Sequence, residues 1–308
     1  MVTDPLRRLI DRPWRDIQLP PGAVGTPTML SKAERRLLYS LARDYASGEA
    51  AIVDAGCFLG GSTAALLAGV RDRPEPWSGP PVESYDLFRV DRYMIEKFFS
   101  GDDALPPGET FRHRFDAHVA RFDVPHVVHE GDITALGWDG GPIDVLFLDV
   151  LKSWEINDAV LRDFFPSLVP GRSVIVHQDY GWGDTPWIPI TVELLRESLV
   201  LVDWMEWGSH VFFVESELPT DVLENGVGGL ELEAKIELSE RAVARAEGWV
   251  QGMLEVSRAV LIAERDGPPA ALAELASIHE RHPGHPFVLS CIDDVRPQIA
   301  QSVASPVR

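Results

Sequence analysis

The chain has 308 residues, 45% hydrophobic and 25% charged, the composition of a folded globular protein rather than a disordered one. Its 48 Asp and Glu outnumber 28 Lys and Arg, giving a net charge of −20, which opposes any role that neutralises nucleic-acid phosphates. No apolar run approaches a membrane span, and no apolar segment follows the charged start, so neither a membrane anchor nor a secretory signal is expected.

Residues 1–28 hold five prolines and little periodicity, and read as an extended lead-in. Ser31, with Glu34 three residues on, forms a capping box for a helix through Leu37, Leu38 and Leu41 to about Tyr45. Ala51 to Val53 suit a buried strand that ends at Asp54. Gly56, Gly60 and Gly61 then make a glycine turn, and Ser62 and Thr63 open a helix. Such a turn brings backbone N–H groups close to a nucleotide-like ligand. It is not the dinucleotide pattern G-x-G-x-x-G. Phe58 stands where the middle glycine lets a pyrophosphate touch the backbone. Cys57 and Cys291 lie far apart in sequence, which favours a reducing, cytoplasmic setting over a disulfide framework.

A Pro-rich loop over 74–81 leads to a second strand over 82–85, ending at Asp86. The aromatic and charged segment 91–122 is long for a simple crossover and is expected to include a helix that covers a site. Further strands are expected over 127–129, ending at Glu130-Gly131-Asp132, over 143–148, ending at Asp149, and over 173–176, followed by His177, Gln178 and Asp179. Helices are expected over 155–165 and 190–198. The apolar runs 199–202 and 211–214 close the sheet.

From about Glu217 the composition shifts. Gly226, Gly228 and Gly229 break the chain, and 230–265 and 270–281 carry helical patterns. The order implies an α/β fold, a doubly wound, mostly parallel Rossmann-like sheet, with a helical C-terminal appendage. The expected divisions are the lead-in 1–28, an α/β domain over 29–216 and a helical region over 217–308. The appendage reads as a packed helical hairpin or as the arm of a homodimer. Ligands of such sheets sit outside the carboxyl ends of the strands. Here an acid stands at or just past all five expected ends: Asp54, Asp86, Asp132, Asp149 and Asp179. Clustered acids repel one another, so the pattern points to hydroxyls, amines or a cation.

Residues 29–180 resemble a class I S-adenosylmethionine-dependent methyltransferase. Asp54, Gly56 and Gly60 fit its first motif, D/E-x-G-x-x-x-G. The resemblance implies that Asp54, Gly56, Gly60, Gly61, Ser62 and Thr63 cradle the amino-acid end of S-adenosyl-L-methionine. It also implies that Asp86 binds the ribose hydroxyls and that Asp132 lies at the adenine. Residues 145–152 are similar to the fourth-strand motif of catechol-type, metal-dependent O-methyltransferases. There, Asp149 would bind a divalent cation and Lys152 would be the general base. Macrocin-type sugar O-methyltransferases place two acids where His177-Gln178-Asp179 stands. The implied Mg²⁺ ligands are Asp149, Gln178 and Asp179. Gln178 departs from the pattern, since a carboxylate is expected there. Without a metal, His177 is the candidate base.

The implied activity is O-methylation of a small-molecule or glycan hydroxyl. Plainer readings stand beside these. Asp86 is a cap, Gly131-Asp132 a turn, His177 a buried strand-end histidine and Lys152 a surface lysine. Trp154, Trp182 and Trp187, with Phe88, Tyr93, Phe98 and Phe99, are acceptor lining or core. The rival functions are an NAD- or nucleotide-sugar-binding enzyme and a non-catalytic partner protein retaining the fold.

Overall fold

A computed structural model describes residues 4–101, 104–205 and 208–302. The chain forms two compact units, Met1–Val150 with Ser167–Val176, and Leu151–Pro166 with His177–Arg308.

The first unit opens with α1 (Asp4–Ile10), α2 (Pro21–Val24) and α3 (Lys32–Ser40). Then come β1 (Ala51–Ala55), α4 (Gly61–Arg71), β2 (Val82–Asp86), α5 (Arg92–Phe98), α6 (Arg112–Val119), β3 (His126–Glu130), α7 (Ile133–Leu136) and β4 (Ile143–Leu148). β5 (Val174–His177) returns beside β4. The strand order is β3-β2-β1-β4-β5, with β1 parallel to both β2 and β4, and β2 parallel to β3. The chain winds outward from β1 to β3, then starts again on the other side at β4. The gap outside the carboxyl ends of β1 and β4 is therefore the switch point where such sheets take their ligands. Every residue of β1 and β4 is buried, as strands covered on both faces require.

The lead-in is not extended. It holds α1, a 3₁₀ turn at Pro13–Arg15 and α2, and it buries Leu6, Leu9, Trp14 and Ala23. Pro13 and Pro21 stand at the first helical positions, where a missing N–H breaks no hydrogen bond. The expected capping box forms. Ser31 Oγ accepts from the Glu34 N–H at 3.2 Å, and the Glu34 carboxylate accepts from the Ser31 N–H at 2.7 Å. α3 then widens into a π-helical turn at Leu41–Tyr45. α4 is buried from Gly61 to Val70 and packs tightly on α3; a Cβ at Gly69 would lie 2.5 Å from the Tyr39 carbonyl oxygen.

The second unit holds α8 (Trp154–Asp163), α9 (Trp187–Leu194), the antiparallel pair β6 (Leu199–Trp204) and β7 (His210–Val214), and α10 (Thr220–Asn225). Four longer helices complete it: α11 (Leu232–Arg245), α12 (Gly248–Asp266), α13 (Pro268–Arg281) and α14 (Pro286–Ser302). The single helical pattern over 230–265 is thus two helices, parted where Ala246 turns extended. α14 carries Pro297 inside it and adds an element that the sequence pattern did not mark. α12, α13 and α14 enclose a core of their own around Met253, Val256, Leu275, Ile278, Cys291 and Val295. With parallel strands in one unit, an antiparallel pair in the other and helices throughout, the fold is α/β and Rossmann-like. Among the described residues, no helix is long and apolar enough to cross a membrane.

One buried charge ties down the amino end of β4. Asp144 is fully buried, its Oδ1 lies 2.7 Å from Arg172 Nε, and its Oδ2 accepts from the Ser47 N–H and hydroxyl at 2.6 Å each. Arg172→Ala would leave that carboxylate buried with Ser47 alone. Loss of one partner of a buried pair is expected to lower unfolding free energy by about 3 kcal/mol, read as a lower urea midpoint with unchanged slope. An unchanged midpoint would show that Ser47 suffices.

Candidate cofactor and catalytic residues

The turn after β1 is shaped by close approach. Gly56 has φ +95°, and a Cβ there would lie 2.4 Å from the Asp149 carbonyl oxygen. The Asp149 N–H donates to the Ala55 carbonyl at 2.8 Å, so the ends of β1 and β4 are pinned together at this glycine. Gly60, at φ +92°, caps α4 in a left-handed conformation. The helix start behind it, Gly61-Ser62-Thr63, is where unpaired backbone N–H groups are found.

Asp54 is fully buried. Its Oδ2 accepts from the Ser62 hydroxyl at 2.9 Å and the Thr63 hydroxyl at 2.5 Å, so both hydroxyls turn inward. Its Oδ1 is buried and has no hydrogen-bond partner among the described residues. Burial pushes its pKa up to about 7, against the two hydroxyl hydrogen bonds that favour the anion. Burial and the charges of Asp86 and Asp54 likewise raise the Cys57 thiol, which is therefore an inert core group.

Asp86 is half-buried and does two jobs at once. Its Oδ2 accepts from the Phe58 N–H at 2.8 Å and its Oδ1 from the Phe88 N–H at 2.7 Å. Both phenylalanines have positive φ, +47° and +52°. Their rings are held in a cluster. Phe58 meets Phe98, Phe99 and Phe111 at centroid distances of 4.9, 6.1 and 5.4 Å, and Phe88 meets Phe111 and Phe115 at 5.6 and 5.1 Å. Burial raises the pKa of Asp86, opposed by these two backbone hydrogen bonds. Asp132 is exposed and caps α7, its Oδ1 accepting from the Thr134 N–H at 2.9 Å and hydroxyl at 2.8 Å.

In the second unit, Lys152 Nζ donates to Asp179 Oδ2. The Lys152 side chain is 55% exposed and that of Asp179 13% exposed. The Asp179 carbonyl accepts from the Trp182 N–H at 3.0 Å and the Thr185 hydroxyl at 2.9 Å, folding the segment after β5 into a tight turn. Asp184 lies in the same turn, its pKa raised by burial and by Asp179.

His177 is 1% exposed and sits against Phe165 and Phe212. Neither ring nitrogen has a partner among the described residues. Burial, with His210 nearby, drives its pKa down to about 3, so the enclosed ring is neutral near pH 7. Gln178 is half-buried beside it.

Among the described residues, no group of three His, Cys, Asp or Glu side chains is arranged to hold a metal ion. Asp179 already carries an ammonium. No chemical step is drawn through a bound Mg²⁺. Most candidate lining aromatics serve packing. Trp154 meets Trp187 edge-on at 5.5 Å, Trp187 Nε1 donates to the Leu151 carbonyl, Trp182 packs on the α12–α14 core, and Phe88 and Phe99 are fully buried. The Tyr93 side chain lies outside the described residues. Sequence reasoning missed the left-handed Phe58 and Phe88, because no local pattern marks a phenylalanine for positive φ.

No protein-family model matches the chain, and no curated protein does. Among solved structures, it is similar to apo CalS11, a TDP-rhamnose 3'-O-methyltransferase and an enzyme in calicheamicin biosynthesis. The identity is 16% and the TM-score 0.42, over 68% of this chain and 93% of that one. Cofactor-bound Rv0187 from MTB is 17% identical with a TM-score of 0.41, over 70% and 91%. The O-methyltransferase from Bacillus cereus in complex with SAH is 14% identical with a TM-score of 0.38, over 69% and 90%. These likenesses are distant, and the function proposed below is supported by the residues themselves.

The raised pKa of Asp54 has a pH consequence. Between the ordinary carboxyl value of 3.8 and about 7, the native chain keeps a proton that the unfolded chain has released. Asp54 therefore subtracts stability progressively as pH rises through that window, and nothing further above it. Asp54→Asn is expected to gain on the parent from about pH 4 to about pH 7 and then hold a constant advantage, measured by urea unfolding across the range. A difference that does not change with pH would place the proton elsewhere.

Proposed function

We propose that the chain is an S-adenosylmethionine-dependent O-methyltransferase acting on a small-molecule or glycan hydroxyl. The observation that supports this most is the turn after β1, pinned to β4 through Gly56 and tied to Asp86 at the end of β2, at the sheet's switch point. A zwitterionic, sulfonium-bearing cofactor suits a mouth edged with carboxylates. A pyrophosphate does not, and Phe58, locked in its aromatic cluster, stands in the pyrophosphate's place. The residues fit such a cofactor. Gly56 keeps the strand ends open to close approach, and Asp54 Oδ1 is a buried acceptor without a partner among the described residues. Each Asp86 oxygen that accepts a backbone N–H keeps lone-pair capacity for a ribose hydroxyl.

The bound cofactor supplies a methyl group already made electrophilic by its sulfonium. What the protein adds is placement and proton removal. The turn 56–60 and Asp86 hold the cofactor. Within the second unit, Asp179, its carboxylate held by Lys152, is the base proposed for an acceptor hydroxyl. His177, enclosed and neutral, takes no part in the transfer.

Calorimetry on the full chain is expected to show micromolar binding of S-adenosylmethionine and S-adenosylhomocysteine. Gly56→Arg should abolish it, and absence of binding to the unaltered chain would end the proposal. Lys152→Met and Asp179→Asn should keep cofactor affinity while methyl transfer to an accepted hydroxyl falls at least about 100-fold, the scale of a lost proton-transfer group. EDTA should leave turnover unchanged. A strict need for added Mg²⁺ would overturn the proton-transfer assignment while leaving cofactor binding intact.

A further inference from the structure

The second unit contains a cavity of about 370 Å³, bounded by α9, the β6–β7 pair and the junction of α11 with α12. That is within the size range of small-molecule sites. Neither Lys152 nor Asp179 lines it. Its floor is aromatic. Tyr180 lies 4.2 Å from His210 and 5.5 Å from Phe212, centroid to centroid. Leu199, Leu201 and Val250 supply apolar walls.

Two polar groups in this floor lack partners. His210 is 3% exposed, and its Nδ1 lies 3.0 Å from the Gly208 carbonyl oxygen. A carbonyl only accepts, so Nδ1 carries the hydrogen and Nε2 is left as an acceptor. Burial lowers this ring to about 4, so it is neutral near pH 7. Tyr180 is 8% exposed. Neither His210 Nε2 nor the Tyr180 hydroxyl has a hydrogen-bond partner among the described residues. A built cavity wall with a bare acceptor beside a bare hydroxyl calls for a ligand that answers both.

The charges at the rim narrow the class. Arg245 is already paired with Glu193 at 3.2 Å. Glu247 stands at the start of α12, where the helix N-terminus offsets its charge. Arg196 is exposed and has no ion-pair or hydrogen-bond partner among the described residues. It is the cation left to meet an anionic group.

We propose that this cavity binds a hydroxylated aromatic carboxylate. The flat ring rests on Tyr180, His210 and Phe212, the ligand hydroxyl donates to His210 Nε2 and accepts from Tyr180, and the carboxylate meets Arg196. This inference stands apart from methyl transfer, because binding is read without cofactor or turnover.

The test is calorimetric titration of the full chain with 4-hydroxybenzoate, benzoate and cyclohexanecarboxylate. 4-Hydroxybenzoate is expected to bind saturably, with the other two at least about tenfold weaker. Arg196→Gln, at the surface, should weaken 4-hydroxybenzoate by about tenfold. Tyr180→Phe should leave the unfolding temperature unchanged or raised, since the lost hydroxyl has no partner among the described residues, and should reduce 4-hydroxybenzoate to the affinity of benzoate. No saturable binding of 4-hydroxybenzoate, or binding that neither substitution changes, would overturn the proposal.

Discussion

The carboxylate of Asp86 is the anchor on which the candidate cofactor site depends. It accepts backbone N–H groups from Phe58 and Phe88, which lie on two different loops and share an unfavourable left-handed backbone. Each such residue costs roughly 1–2 kcal/mol. Two charge-assisted hydrogen bonds and the burial of two phenyl rings in one cluster offset that cost. Release of either ring or of the carboxylate would free both loops. An acid that binds a ribose here would therefore also be the acid that shapes the pocket around it, and the two duties are coupled.

The row of acids at the strand ends has a related explanation. Asp54 takes the hydroxyls of Ser62 and Thr63, Asp86 the two phenylalanine amides, Asp132 the start of α7, and Asp179 the ammonium of Lys152. In a parallel sheet, each strand's carboxyl end runs into a turn or a helix start, where backbone N–H groups and hydroxyls lack partners. An acid there is locally useful before it is catalytically useful. That is why the positions were legible in the sequence while the duties were not. Spacing places a carboxylate at a strand end, but only geometry shows which of its lone pairs remain.

Strands were legible because their apolar runs are short, continuous and bounded by acids or glycines. The capping box at Ser31 and Glu34 was legible because its signal is local. The helices of residues 4–24 were hidden by prolines that look like breakers but stand at helix starts. α14 was hidden for the converse reason, with a proline inside a helix held by tertiary packing of Val288, Cys291, Ile292 and Val295. His177 lies buried against Phe165 and Phe212, an environment that its place after a strand did not reveal.

The C-terminal helices bear on the chemistry through packing. The turn after β5 carries Asp179, and its next residues press against α12 and α14. A Cβ at Gly183 would lie 2.8 Å from Val256, 3.0 Å from Cys291 and 3.2 Å from Val295. The turn's own bonds, from Trp182 and Thr185 back to the Asp179 carbonyl, fix its shape, and the helices fix where that shape sits. A close-packed contact of this kind has little room to give, since added volume forces off-rotamer side chains or backbone shifts. The acid that meets Lys152 is thus placed from two directions, by the strand that ends before it and by helices that begin some seventy residues later. The helical region thus bears on the position of Asp179 through the contacts that Gly183 makes with α12 and α14.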